Sequence, residues 1–319
     1  MRRFAALALV LALTGCAAQT PSPSITPVDD KYCAISDSAG FNDDGLNRSV
    51  YAALQQLKVQ TGASVMAIEV SDKLTVEAGI RKLVDANCNA IISAGEDLTK
   101  SALAAAKAND TIRFISVSDI VNTEDSSPNF VALTFNIYQA AFAAGYLAAA
   151  DSPSEEIATL DLLKSSESKK SVRAFTAGVA RFNTENRAQV KISNLGKIDQ
   201  ASQDVVFVLS GNGVKLVDWT KRSDTGALKL VKLIGYGRDW YTDTRNKELK
   251  PYILTSVVRV GVTDKVVAAV VDRSGSQNFD LASGQVGLVP ENDLPFPRSF
   301  GAALDSIVKD FLDGKVRVS

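Results

Sequence analysis

From Tyr32 onward, short apolar runs alternate with stretches that carry apolar residues at helical spacing. Tyr32-Cys33-Ala34-Ile35, Val65–Ile68, Ala90–Ser93, Phe114–Val117 and Phe130–Leu133 read as buried strands. Ser49–Thr61, Val76–Asn87 and Leu98–Asn109 lie between them and read as helices; in the last, Leu98, Ala102, Ala105 and Ala106 fall on one face. A second series follows, with strands predicted at Ile157–Leu160, Val190–Ile192, Val205–Leu209, Val231–Ile234 and Ile253–Val258. Helices are predicted over Lys169–Phe182, Val262–Asp272 and Phe300–Leu312, the last stopped by Gly314. Strand, helix and strand repeated in this way give parallel βαβ units. The 319 residues exceed what one core usually serves. The expected fold is therefore α/β, with two doubly wound, Rossmann-like lobes built on parallel sheets.

The first thirty residues do not join this pattern. Arg2 and Arg3 precede the apolar stretch Phe4–Leu13, too short to span a bilayer, and Leu13-Thr14-Gly15-Cys16 follows. That tetrapeptide resembles the bacterial lipobox, which implies a signal peptide over 1–15, cleavage before Cys16 and lipidation of its thiol. Residues 16–30, rich in Pro, Ser and Thr, read as a tether between membrane and domain. Cys33 and Cys88 each stand close to a strand-like run; if those strands are parallel neighbours, both thiols start at the same sheet edge. A disulfide and two separate buried thiols are both open.

In doubly wound sheets, ligands bind beyond the carboxyl ends of the strands. The polar clusters fall there: Asp37 to Asn47 after the first strand, Gly95-Glu96-Asp97 and Asp119 after later ones, and Gly211-Asn212-Gly213 and Gly235–Asp239 in the second series. The first of these gathers Asp37, Asn42, Asp43, Asp44 and Asn47. It is not an EF-hand loop, since counting from Asp37 puts Asn42 sixth and Arg48 twelfth, where Gly and Glu are required. Its carboxylates would repel a phosphate. Asn42 or Asp43 suits the cap of the following helix, which leaves several polar residues for a ligand rich in hydroxyl or amide groups.

Composition narrows the chemistry further. With no histidine, catalysis by Ser-His-Asp or Cys-His and His-ligated zinc are excluded. No complete phosphate loop or dinucleotide fingerprint is present, and the net charge of −1 does not suit a nucleic-acid partner. Neither a metal nor a cofactor is expected.

Residues 37–54, DSAGFNDDGLNRSVYAAL, resemble the motif that opens the basic membrane protein family of substrate-binding lipoproteins. NFVALTFNIYQAAFAAGYLAA (129–149), SGNGV (210–214), LIGYGRDWY (233–241), ILTSVVR (253–259) and GQVGLVPEN (284–292) are similar to further family motifs, in the same order. The resemblance implies the type I periplasmic-binding-protein fold and a nucleoside-binding protein of an ABC transporter. It implies that Asp37 and Asn47 hydrogen-bond the ligand from the first lobe, with Asn42 in the same loop, and that Asp119 reaches it too. Gly211 and Asn212 would approach from the second lobe, and Asp239 and Arg259 would sit near the cleft mouth or hinge. The sequence departs from the family at three such places. Leu46 stands where a Phe often stacks on the base, Gly237 where an Asp is usual, and Arg259 where a Lys is usual. Trp240, Tyr241 or Phe135 are candidate replacement rings.

The expected protein is a lipid-anchored monomer on the outer face of the cytoplasmic membrane, a non-enzyme that delivers a nucleoside to an ABC permease. Lobe one would hold 31–134 and 259–278, and lobe two 135–258 and 279–319. The same fold with a sugar, free base or signalling molecule as ligand is the first alternative. A surface sensor, or a hydrolase using Asp37 and Asp119 as paired carboxylates, comes after it.

Overall fold

The computed structural model describes residues 30–43, 45–119, 126–197, 202–210, 231–242, 249–290, 296 and 298–318. The first series becomes β1 (Lys31–Ser36), α1 (Leu46–Thr61), β2 (Ser64–Glu69), α2 (Val76–Asp85), β3 (Ala90–Ala94), α3 (Glu96–Ala108), β4 (Arg113–Ser118) and β5 (Phe130–Phe135). After α4 (Ile137–Ala150), the second series gives β6 (Glu156–Asp161), α5 (Ser166–Asn186), β7 (Lys191–Asn194), β8 (Val205–Leu209), β9 (Lys232–Gly237) and β10 (Ile253–Arg259). The chain ends with α6 (Val262–Val271), β11 (Gln277–Phe279), β12 (Val286–Pro290) and α7 (Arg298–Leu312).

The strands form two six-stranded sheets, ordered β11-β5-β4-β3-β1-β2 and β12-β10-β9-β8-β6-β7. Among the described strands all pairings are parallel except β10 with β12. The chain crosses between the sheets three times: after Phe135, after Arg259 and after Phe279. The crossings are tied to one another. Asn136 N–H donates to the Phe279 carbonyl (2.8 Å), its amide donates to Asn278 (2.9 Å), and Val260 N–H donates to the Gln285 carbonyl (2.8 Å).

The central strands are buried on both faces, as parallel strands sandwiched by helices must be. Helix α4 is a departure from the predicted elements, since its run of Ala, Phe, Leu and Tyr carries no amphipathic rhythm. It is buried nearly all round, because α5 covers it on one side and β10 and β12 on another. Gly145 and Gly178 make this possible: a Cβ at Gly145 would lie 2.0 Å from the Phe175 carbonyl oxygen, and one at Gly178 would lie 1.9 Å from that of Phe142. In the first lobe Cys33 in β1 and Cys88 ahead of β3 are joined by a disulfide, their Cα atoms 6.0 Å apart, across strands that are parallel neighbours.

Candidate functional site

The carboxyl ends of both sheets face one cleft. On the first lobe, the loop between β1 and α1 is shaped by its own side chains. Asp43 caps α1, accepting from the N–H groups of Gly45 (2.8 Å), Asn47 (3.2 Å) and Arg48 (3.0 Å), which satisfies donors that the helix start leaves open. Glu69 at the end of β2 accepts from Phe41 N–H (2.9 Å) and holds the loop from beneath. Asp37 Oδ1 accepts from the Asn47 amide (2.8 Å) and from Ala39 N–H (2.9 Å). Burial pushes the Asp37 carboxyl above its ordinary value; those two hydrogen bonds oppose the shift, and the negative charges of Asp43 and Glu167 add to it. Among the described residues Asn47 Oδ1 is buried without a hydrogen-bond partner, so a ligand N–H or O–H would satisfy it.

The second lobe contributes a buried ionic cluster. Arg259 closes β10 with 4% of its side chain exposed, and Asp119, following β4 of the first lobe, has 3%. The guanidinium donates to Asp119 Oδ1 through Nη2 (2.7 Å) and Nε (3.1 Å), and through Nη2 also to Glu167 Oε1. Tyr236 on β9 donates its phenol proton to the same Glu167 oxygen (2.6 Å), and its own oxygen meets Ser171 on α5 at 3.0 Å. Burial raises Asp119 well above its ordinary value, with Arg259 opposing and Glu167 reinforcing the shift. Burial also works against ionisation of Glu167, yet Arg259, Tyr236 and Asp119 together hold it below its ordinary value. Two carboxylates thus share one guanidinium and shift in opposite directions, Asp119 upward and Glu167 downward. Tyr236 is held protonated, well above its usual value, first by burial and then by the charge of Glu167.

The two walls enclose a cavity of about 340 Å³, lined from the first lobe by Asp37, Asp43, Leu46, Asn47 and Asp97 and from the second by Leu163, Glu167, Ser210, Tyr236, Gly237 and Arg259, among others. Its size lies at the small-molecule end of ligand sites. At its rim Lys170 of α5 pairs with Glu96 of α3 (3.0 Å), a partly exposed bridge that contributes at most about 1 kcal/mol. Among the described residues no group of acidic or thiol side chains is arranged to hold a metal ion.

Of the residues singled out in the sequence, Asp37, Leu46, Asn47 and Arg259 meet in this cavity. Arg259 closes β10 where the chain crosses between the lobes and lies buried against Asp119 and Glu167, whose carboxylates face its guanidinium. Asp119 is not part of the cavity wall and acts through Arg259. Asn42 is exposed and outside the lining. Asp239 also stands outside it, accepting from Tyr241 N–H (2.9 Å) in a local turn. Trp240 is fully buried in the second lobe's core, and Phe135 packs on Phe279 at 4.5 Å, so neither ring supplies a wall of the cleft. Tyr241 is likewise outside the lining. Gly211 and Asn212 fall outside the described residues, as does Cys16.

Glu167 is not singled out by the sequence, and Tyr236 enters only within the Gly235–Asp239 cluster after a predicted strand. Glu167 sits in a Ser- and Lys-rich stretch that reads only as a helix start, and Tyr236 lies within an apolar strand.

The chain's fold is shared with solute-binding proteins of ABC transporter systems from Aeropyrum pernix K1 (TM-score 0.68, 14% identity, 90% of this chain and 92% of that one) and Conexibacter woesei DSM 14684 (0.62, 17%, 90% and 98%). A transcriptional activator of the comK gene from Bacillus halodurans is also similar (0.59, 18%, 88% and 97%). No curated protein matches the sequence. The model of the Bmp family, described as ABC transporter substrate-binding protein PnrA-like, matches residues 31–295. With that match over most of the chain, two parallel lobes of the type I periplasmic binding fold and one cleft between them, the protein belongs to the Bmp family of PnrA-like ABC transporter substrate-binding proteins.

Proposed function

We propose that the protein captures a nucleoside in the cleft between its lobes and presents it to an ABC permease, without chemical change. The observation that supports this most is the facing of two hydrogen-bonding walls across one cavity. Asp37 and Asn47 stand on one lobe, and Glu167, Tyr236 and Arg259 on the other. The carboxylates of Asp37 and Glu167 suit the hydroxyl and amino donors of a nucleoside, and Leu46 offers an apolar face to its base. The family match and the order of the sequence motifs favour the same ligand. Among the described residues no helix is long and apolar enough to cross a membrane. Attachment through a lipid on Cys16, outside the cytoplasm, is the anchoring that the N-terminal sequence supports.

A second reading, a sugar or free base in the same cleft, is favoured by Leu46 and Gly237. Leu46 gives contact without aromatic stacking, which forgoes about 1 kcal/mol. Gly237 has φ +87°, a conformation that suits glycine, and leaves open space where a side chain would stand. Calorimetric titration with purine nucleosides, pyrimidine nucleosides, free bases and pentoses separates the two. Nucleosides are expected to bind most tightly; tighter binding of a pentose or a base would replace the first reading with the second.

A further inference from the structure

Two carboxylates face the cleft from opposite lobes. Asp37 is fixed by Asn47 and Ala39, and Glu167 by Tyr236 and Arg259. Glu167 is the second residue of α5, whose N-cap Ser165 accepts from Ser168 N–H (3.0 Å). The carboxylate therefore stands at the positive end of a long helix, where negative charge is favoured. An ionised carboxylate offers about four lone-pair sites. Tyr236 and Arg259 occupy two of them, both on Oε1, while 22% of the side chain stays open on the wall of the cleft. Tyr236 is itself pinned by Ser171, so the orientation of the carboxylate does not depend on a ligand. Gly237 puts no side chain into the adjoining space.

We propose that Glu167 is the specificity-determining residue of the second lobe: its carboxylate accepts a hydrogen bond from a ligand hydroxyl, so that the cleft takes a hydroxyl-bearing ligand in preference to its deoxy counterpart. The physical basis is the cost of failure. A carboxylate that is desolvated on closure and left short of a donor is far more unfavourable than one that keeps water. Arg259 and Tyr236 position the group but do not replace the missing donor. The choice of probes rests on the nucleoside reading above, but the inference concerns the hydroxyl and stands or falls separately.

The test uses the detergent-solubilised full-length chain, titrated calorimetrically with inosine, 2′,3′-dideoxyinosine, ribose, 2-deoxyribose and hypoxanthine. The native protein is expected to prefer the hydroxylated member of a pair by about tenfold or more, and Glu167→Gln to shrink that ratio to about threefold or less. A general loss of closure or stability would weaken both members alike and leave the ratio intact. Tyr236→Phe, which keeps the carboxylate and removes one of its fixing bonds, is expected to lower the ratio part of the way and covers the case in which Glu167→Gln does not fold. If ribose binds and inosine does not, the nucleoside reading falls, and the ribose to 2-deoxyribose ratio decides the role of Glu167. An unchanged ratio in Glu167→Gln, or in Tyr236→Phe where the first variant does not fold, overturns the inference. Binding of hypoxanthine alone, or of none of the five, overturns the inference and the nucleoside reading together.

Discussion

Arg259 sets the electrostatics of the cleft at the scale of single residues. A buried guanidinium needs its charge offset, and Asp119 and Glu167 do so from two lobes and two elements. The two carboxylates respond to pH in opposite senses. Glu167 is held below its ordinary value, so its contribution to stability is present above the unfolded value and is lost as pH falls through the folded one. Asp119 is raised, so its contribution is fully present below its unfolded value and fades as pH rises through its folded one. The cluster therefore supports the fold best near the two groups' unfolded values and less on either side. Asp119→Asn mimics the protonated form and is expected to abolish the decline on the alkaline side; melting curves from about pH 4 to 9 on both proteins test this, and parallel slopes would contradict it. How much of this was legible follows from where each residue sits. Asp37 and Asn47 stood out because they gather directly after a strand and exceed what a helix cap requires. Arg259 entered only through the motif that it ends, and Glu167 gave no local signal, because its partners come from β4, β9 and β10, far away in sequence.

The strand–helix alternation of the two lobes could be read from hydrophobic periodicity, with borders displaced by only a few residues. Helix α4 could not, for a physical reason. A helix buried on nearly every side has no polar face, so its sequence loses the 3.6-residue rhythm. The short β11 and the edge strand β12 were missed as well: three residues carry too little pattern, and Gly287 and Pro290 look like turn residues although they fit an antiparallel edge. The α4–α5 contact makes a sharp prediction. Gly178→Ala would force a methyl against the Phe142 carbonyl at the closest approach of the two backbones. Overpacking of this kind is expected to destabilise the protein by at least about 2 kcal/mol, read as a lower urea midpoint at unchanged slope. An unaltered midpoint would mean that the helices do not cross so closely.

The molecule as a whole is two lobes joined by three crossings that are hydrogen-bonded to one another, with a cleft at the carboxyl ends of both sheets. Interlobe contacts exist at two depths: the buried Asp119–Arg259 pair at the base, and Lys170 with Glu96 at the rim. A ligand placed between the walls adds contacts to both lobes at once, which is how a binding protein of this fold couples capture to closure. Asp37 is the residue on which the central claim turns, because it faces the cavity without taking part in the Arg259 cluster. The most direct measurement is the thermal unfolding of the native chain and of Asp37→Ala, each with and without a purine nucleoside. At a ligand concentration of about a hundred times Kd the native protein should gain roughly 2.7 kcal/mol, seen as a clear rise in Tm. Asp37→Ala should lose most of that gain while melting without ligand close to the native protein. An equal rise in both would place the ligand outside the cleft, and no rise in the native protein would contradict nucleoside capture.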